Sequence, residues 1–132
     1  MTRAPNIIDT YLHVQDNGRT DAIEVTETFW GELASGALPH LDQGRLMSAF
    51  TFAESWSMWE RHPAGAELVM LLSGAATIVL EEQGQERSIE LNEVGAYALV
   101  PPNVWHTAKT SVPTRMLFLT SGAGTQHRPV LA

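Results

Sequence analysis

Residues 56–74, WSMWERHPAGAELVMLLSG, contain two short segments with an alternating pattern, separated by a Pro/Gly turn. Successive side chains of a β-strand point to opposite faces. On that basis one face of the first segment carries two large apolar and two ionisable residues: Trp56, Met58, Glu60 and His62. In the second segment Glu67 shares a face with Val69 and Leu71. Both segments therefore direct ionisable side chains toward an apolar interior.

The period of two extends on both sides of this stretch. Short apolar segments rich in β-favouring residues occupy 46–53, 75–82, 86–91, 96–101, 104–109 and 114–120. The breaks between them are Gly-, Pro- or Asn-containing turns such as Pro101-Pro102-Asn103. Many short strands at short spacing indicate an all-β sandwich or barrel, here a jelly roll of roughly nine strands.

The N-terminal part is expected to add one strand and one short helix within residues 6–36. The strand is predicted at Ile7–Val14. The helix is predicted at Thr26–Ala34, with threonines as caps and Gly36 just past its end. Residues 37–45, ALPHLDQGR, are predicted to form a loop. The 132 residues suit one domain, 1–132, with its barrel at about 45–120.

The composition excludes several classes of function. The chain has 8 Lys+Arg against 15 Asp+Glu, a net charge of −7, and such a surface repels phosphate backbones and anionic lipids. We expect no nucleic-acid partner and no membrane association. There is no cysteine, so disulfides, thiolate zinc sites and cysteine nucleophiles are excluded. The first fifteen residues lack the apolar run of a secretory signal, which predicts a cytoplasmic location.

Four ionisable residues form the candidate site. By strand parity His106 shares an inward face with Val104, so it joins Glu60, His62 and Glu67 in the interior. Burying two carboxylates without partners is costly, and neighbouring like charges would force one to hold a proton. A divalent cation removes both costs, and imidazole and carboxylate are ordinary ligands of transition metals.

These residues also carry a family resemblance, because the chain resembles the cupin superfamily. The first cupin motif, G-x5-H-x-H-x3-4-E-x6-G, matches in spacing at Glu60, His62, Glu67 and Gly74. The second, G-x5-P-x-G-x2-H-x3-N, matches in position at Gly95, Pro101, Asn103, His106 and Thr110. The resemblance covers about residues 45–120. It implies a double-stranded β-helix that holds one metal, usually through three His and one Glu.

The chain departs from these motifs at four positions. Glu54 replaces the opening Gly, Asn103 the Gly of the second motif, and Thr110 its Asn. Asn tolerates positive φ, so Asn103 can still form that turn. Glu60 replaces the first His, and the resulting set of two His and two carboxylates favours Mn, Fe, Zn or Ni over Cu. The alternatives for Glu60 are that it orients a ligand or transfers protons.

Several aromatic residues have two interpretations. Trp56, Met58 and Tyr97 are candidates to line a substrate pocket, and the alternative is that they are core residues, above all Met58. Trp59 and Trp105 have the opposite parity, away from the site, and are expected to pack under the barrel or at a dimer contact.

Histidines outside the motifs are predicted to lie at the surface or in a mobile end of the chain. His13 and His40 are expected at the surface. The tail with His127-Arg128 is interpreted as a flexible terminus, and the alternative is that it folds over the barrel mouth and supplies a third imidazole or an anion clamp.

The resulting functional hypothesis is a small metal-binding cupin with an organic ligand or substrate and a homodimeric assembly. If the domain is an enzyme, the resemblance implies a metal-dependent oxygenase, isomerase or epimerase, or decarboxylase. The alternatives are a non-catalytic ligand-binding or sensing module and a structural cupin without metal.

Overall fold

Two antiparallel β-sheets make up most of the computed structural model, which describes residues 2–131. The strands of the first sheet are β1 (Thr10–Val14), β2 (Thr20–Glu24), β3 (Arg45–Phe52), β5 (Glu67–Ser73), β8 (Tyr97–Val100) and β10 (Thr114–Thr120). Those of the second are β4 (Met58–Arg61), β6 (Ala76–Glu82), β7 (Gln85–Leu91), β9 (Trp105–Lys109) and β11 (Gln126–Pro129).

The strand order interleaves distant parts of the chain, as in a jelly roll. The six-stranded sheet has the order β2-β1-β3-β10-β5-β8, and the five-stranded sheet has the order β11-β4-β9-β6-β7. Consecutive strands β4 and β5 thus lie in different sheets, and the turn between them crosses the end of the barrel. This confirms the predicted all-β fold.

The predicted strands from residue 46 to residue 120 are all present, with ends shifted by at most a few residues. Two further strands lie outside the prediction. The polar strand β2 pairs with β1, and β11 forms in the tail, where a flexible terminus is expected from the sequence. Helix α1 spans Phe29–Ala34, three residues shorter than predicted, and Pro39–Asp42 form a 3₁₀ turn inside the predicted loop. No helix within residues 2–131 is long and apolar enough to cross a membrane.

The main core lies between the two sheets and consists of inward-facing aliphatic side chains. Val69 and Leu71 of β5 and Ile78 and Leu80 of β6 are at most 1% exposed. A second, smaller core forms where α1 and the 3₁₀ turn cover β1 and β3, around Tyr11, Phe29, Leu41 and Leu46. The short helix is therefore held by packing, since a six-residue helix has little stability of its own.

Two turns from the sequence motifs require unusual backbone conformations. Asn103 has φ of 62°. Its backbone N–H donates to the His62 backbone carbonyl at 2.9 Å, so a hydrogen bond connects the second motif directly to the first. Gly74 has φ of 82°, and a Cβ there would lie 2.3 Å from the Pro113 carbonyl oxygen. The motif glycine is therefore needed both for its φ and for the close approach of the chain.

Gly74→Ala should destabilise the fold more than Gly84→Ala. Gly84 has a similar φ of 77° with no atom within 4 Å of the position that a Cβ would take, so its substitution costs only the left-handed conformation, about 1–2 kcal/mol. Gly74→Ala adds the clash, worth about 1–3 kcal/mol more. Urea unfolding of both variants measures the difference, and equal losses would contradict the steric argument.

Candidate metal site

The four candidate ligands come from three strands and one turn at the same end of the barrel. Glu60 lies on β4, and His62 follows the last residue of that strand. Glu67 is the first residue of β5, and His106 lies on β9. His62, Glu67 and His106 are 5%, 3% and 1% exposed, whereas the Glu60 side chain is 27% exposed. The site is therefore buried on all sides except that of Glu60.

Glu60, His62 and His106 form a group whose ligand atoms all lie within 4.8 Å of one another. Glu60 and His106 are directly opposite each other on β4 and β9, which places their side chains on one face. This spacing is close enough for the three residues to bind one metal ion.

Glu67 lies between the two imidazoles. Its Oε1 is 2.9 Å from His106 Nε2, and its Oε2 is 3.3 Å from His62 Nε2. Thr120 Oγ1 donates to Oε2 at 2.5 Å. Two ligands of one ion that bind at about 2.1 Å and at right angles lie about 3 Å apart. The imidazole-to-carboxylate spacings match that arrangement.

The Glu67 carboxylate is kept ionised by its neighbours. Burial by itself raises the pKa of Glu67, but the contacts with His106 and His62 outweigh burial and lower its pKa from 4.5 to about 2. Burial by itself lowers the pKa of His106, and the facing Glu67 carboxylate outweighs this effect and raises it. Below the raised pKa of His106, the metal-free site contains an ion pair between Glu67 and protonated His106.

Hydrogen bonds to Nδ1 fix which nitrogen of each neutral imidazole faces the site. His106 Nδ1 lies 3.2 Å from the Val104 carbonyl, and a carbonyl only accepts, so Nδ1 donates. Thr125 Oγ1 gives its single proton to the Gly122 carbonyl at 2.8 Å. It therefore accepts from His62 Nδ1, also at 2.8 Å. Both rings are left with an Nε2 lone pair directed at the site.

Three buried atoms of the site lack a properly aligned hydrogen-bond partner within residues 2–131: His62 Nε2, His106 Nε2 and Glu67 Oε1. When both imidazoles are neutral with hydrogen on Nδ1, these atoms are all acceptors, so neither the 2.9 Å contact of His106 Nε2 with Glu67 Oε1 nor the 3.3 Å contact of His62 Nε2 with Glu67 Oε2 is a hydrogen bond. Buried polar atoms are almost always satisfied, so three orphaned atoms converging on one point indicate a missing partner. The donor set, two imidazoles and a carboxylate, is that of a divalent transition metal.

The tail is ordered into strand β11, contrary to the expected flexible terminus. His127 lies opposite Glu60 in the β11–β4 pair, and its Nε2 is 2.9 Å from Glu60 Oε2. The tail thus lies against Glu60, and the observed role of its imidazole is a contact with that carboxylate. The signal for this strand in the sequence is weak, because residues 126–129 are polar and contain a proline.

Arginine side chains contact tryptophan rings on the outer face of β11 and β4. The Arg128 guanidinium lies 4.6 Å from the Trp105 ring centroid and 5.2 Å from that of Trp59, and it pairs with Glu81. Arg61 approaches Trp105 at 4.6 Å. Trp59 and Trp105 thus lie outside the site, as predicted, and the chain's own arginines cover them.

The structure does not bring Trp56, Met58 and Tyr97 together at the site. Strand β4 begins only at Met58, so the alternation does not extend to Trp56, which packs against Phe52 and Phe118 beside the main core. Met58 is 36% exposed and is not a core residue. Tyr97 is 57% exposed, because Ala98 and Val100 occupy the inward face of β8.

His13 is buried rather than at the surface, and this prediction was wrong. Its Nε2 contacts the Gln43 carbonyl at 2.6 Å, and strand β2, which the sequence did not predict, covers it. His40 is exposed, as predicted. Both histidines line a cavity of about 310 Å³ with Gln15 and Asp21, and none of the four candidate ligands contributes to it.

Two supporting residues, Thr120 and Thr125, were not identified from the sequence. Parity along β10 places Thr120 on the inward face with Met116 and Phe118, and a threonine in such a row is a detectable signal. Thr125 lies in a turn, and nothing in the sequence alone marks it.

Solved structures share this architecture at low sequence identity. Peruvianin-I, a cysteine peptidase from Thevetia peruviana latex, aligns with 67% of this chain at 18% identity, with a TM-score of 0.56. Oxalate oxidase aligns with 61% at 15% identity and a TM-score of 0.53. Oxalate decarboxylase from Bacillus subtilis, described with Mn(II) centres, aligns with 65% at 19% identity and a TM-score of 0.52. The two oxalate enzymes are cupin superfamily proteins. The chain has a cupin fold.

The cupin likeness extends to the fold and not to the whole length of these proteins. The aligned regions cover 58%, 44% and 24% of the three chains, respectively. No family model and no curated protein matches the sequence. In this barrel the four candidate ligands lie near one another, Glu60 with His62 and His106, and Glu67 between the two imidazoles.

The metal-free cupin domain should be stabilised by the Glu67–His106 pair most strongly between about pH 4.5 and 6.5. Because the pKa of Glu67 is lower in the folded protein, ionised Glu67 stabilises the fold fully above pH 4.5, and this stabilisation is lost as the pH falls toward 2. Because the pKa of His106 is higher in the folded protein, protonated His106 stabilises the fold fully below pH 6.5, and this stabilisation is lost as the pH rises through its pKa in the folded state. Melting temperatures of chelator-treated wild type and Glu67→Gln across pH test this.

The difference in melting temperature between the two proteins should be largest inside that window and shrink on both sides. In a His106→Gln background, the melting-temperature difference caused by Glu67→Gln should no longer shrink as the pH rises above 6.5. A constant difference from about pH 4 to about pH 9 would contradict the ion pair.

Proposed function

We propose that this domain binds one divalent transition metal through Glu60, His62, Glu67 and His106, with a small organic ligand beside it. The observation that carries this proposal is the group of three buried, unsatisfied atoms, His62 Nε2, His106 Nε2 and Glu67 Oε1. The hydrogen bonds of both Nδ1 atoms direct the Nε2 lone pair of each neutral imidazole toward the site. An isolated barrel core would not retain such a cluster without a partner, because each unsatisfied buried group costs about 1–3 kcal/mol.

The charge of the donor set supports an ion of charge 2+. Two carboxylates neutralise such an ion while the imidazoles stay neutral. Mn, Fe, Zn and Ni all suit mixed nitrogen and oxygen ligands, and the Mn(II) centres of the fold-related decarboxylase make Mn²⁺ a good first probe.

Glu60 is the better of the two carboxylates for proton transfer. Its side chain is 27% exposed, whereas that of Glu67 is 4% exposed and is engaged by Thr120 and both imidazoles. A bound metal would supply Lewis acidity. Glu60, at the open side, would hold or move a proton on a ligand that chelates the metal, such as a small oxygenated acid or ketone.

A non-catalytic binding module and a metal-free structural barrel are the competing functions. A metal-free structural barrel would contain no metal when purified, whatever the residues at the site. A sensing module would bind its ligand in the absence of metal, whereas the proposed site needs the metal first.

Protein purified without a tag or chelator should contain close to one equivalent of Mn, Fe, Zn or Ni by elemental analysis. His62→Ala and His106→Ala should each lower metal affinity by about 100-fold or more, because even residues that only orient a ligand contribute about 10–100-fold. Glu60→Ala should also weaken binding, since it removes one negative charge from the donor set.

His40→Ala is the matched control, because this exposed histidine lies outside the site. It should leave metal content unchanged. Absence of metal in the wild type, together with no thermal stabilisation by any of the four ions, would overturn the proposal. A stabilising Glu60→Ala with no effect on metal would indicate a vestigial site.

We further propose that two copies associate through strand β8. Of the four edge strands in the described sheets, β2, β7 and β11 contain charged side chains, and only β8, Tyr97–Val100, contains none. Two chains of net charge −7 repel each other, which favours contact at an uncharged edge.

The outer face beside β8 is also apolar. Tyr97 and Leu99 are 57% and 58% exposed, and they lie opposite Met70 and Leu68 of β5. The next strand, β10, continues these rows with Leu117 and Leu119. An exposed edge with an apolar face readily pairs with a second copy of itself.

Leu99→Lys should convert a dimer into a monomer. Light scattering after size exclusion should give about 29 kDa for the wild type, twice the 14.5 kDa chain, and the monomer mass for the variant. Ala22→Lys, on the opposite edge strand β2, should stay dimeric. A monomeric wild type would overturn this assembly.

A further inference from the structure

The segment 122–130 places two polar side chains against the candidate ligands. Thr125 contacts His62, and His127 contacts Glu60. Neither residue belongs to the motifs that carry the cupin resemblance, and both lie in the part of the chain that sequence patterns describe least well. The two ligands they contact are those that β4 and the residue after it provide.

Thr125 determines the tautomer of His62. Because its proton goes to the Gly122 carbonyl, Thr125 Oγ1 can only accept from the ring, and His62 Nδ1 must carry the hydrogen. This leaves Nε2 free as a ligand atom and fixes the ring orientation. Partners of this kind increase metal affinity by about 10–100-fold.

His127 acts on Glu60 in the opposite sense, as a donor. A carboxylate accepts hydrogen bonds, so the 2.9 Å contact is a donation from His127 Nε2 to Glu60 Oε2. The donating nitrogen has no lone pair for a metal. His127 therefore holds one oxygen of Glu60, and the carboxylate has a second oxygen that can bind a metal.

Outward-facing residues of the same strand hold the segment in place. Arg61 Nε donates to Gln126 Oε1 at 2.6 Å, and Arg128 covers Trp59 and Trp105. The Val130 amide donates to the Ser57 carbonyl at 2.9 Å. These contacts do not involve the ligands, so the strand stays docked when its inner face is changed.

We propose that Thr125 and His127 are positioning residues of the metal site, so that the C-terminal strand β11 and the turn before it are a structural part of that site. This inference rests on the proposed metal binding by Glu60 and His62. Docking of residues 122–130 and metal binding then stabilise each other, since coupling between two equilibria is reciprocal.

Titration of the full-length, metal-free protein with Mn²⁺ and Co²⁺ by calorimetry tests this proposal. Thr125→Val and His127→Phe keep the side-chain size and remove the hydrogen bond, and each should weaken binding by about 10–100-fold. Thr125→Ser and His127→Gln restore an acceptor and a donor, respectively, and should recover most of the affinity. Gln126→Ala, on the outer face, is the control and should bind as the wild type does.

Two results would overturn the proposal. Unchanged dissociation constants in Thr125→Val and His127→Phe would show that the contacts do not position the ligands. A change in the Co²⁺ absorption spectrum of metal-saturated His127→Phe would show that His127 is itself a ligand, because a positioning residue changes affinity and leaves the coordination set intact.

A second measurement separates this inference from metal binding itself. Imidazole ¹⁵N NMR of the metal-free protein at alkaline pH should show His62 with hydrogen on Nδ1 in the wild type and in Thr125→Ser, and a shift toward the other tautomer in Thr125→Val. If these tautomers are observed but the wild type binds no metal, the proposed function is refuted, whereas the positioning of His62 by Thr125 is supported. An unchanged tautomer in Thr125→Val would refute the positioning.

Discussion

The burial of the Glu67 carboxylate is the constraint on which the candidate site depends. A charge in the barrel interior is costly unless it is compensated, and here two imidazoles and one hydroxyl compensate it. This requirement places His62 and His106 on either side of Glu67, and the Val104 carbonyl and Thr125 then orient their rings. In the metal-free protein below the raised pKa of His106 the compensation is an ion pair, and at the proposed site a bound cation would take the place of the proton.

The fold was largely predictable because its pattern is local. Period-two alternation and Gly, Pro and Asn turns identified the strands from residue 46 to residue 120, and the motif spacing brought Glu60, His62 and His106 together as observed. Asn103 does adopt the positive φ that its turn requires. These features depend on neighbours within a few residues or on an unbroken alternation along one strand. Both kinds of information can be read directly from the sequence.

The remaining features depend on long-range contacts that leave little trace in the sequence. Strand β11 is polar, and it forms because Arg128 and Gln126 contact side chains more than forty residues away. His13 looks like a surface residue in the sequence, but β1 lies between the unpredicted strand β2 and β3, and the ring contacts the Gln43 carbonyl. The residue type of Tyr97 suggests a pocket, whereas the alternation along β8 directs it outward. Parity fails wherever the strand begins later than assumed, as at Met58.

Strand β11 has two faces with separate tasks, and this division affects how such a barrel can diverge. The outer contacts of Arg128 with the tryptophans hold the strand regardless of what its inner face presents. If Thr125 and His127 position the ligands as proposed, changes at these two residues would alter the environment of the metal while the outer contacts keep the strand in place. Strand β11 and the turn before it would then give the barrel a means of acquiring new metal preferences without changes in the ligands or the core.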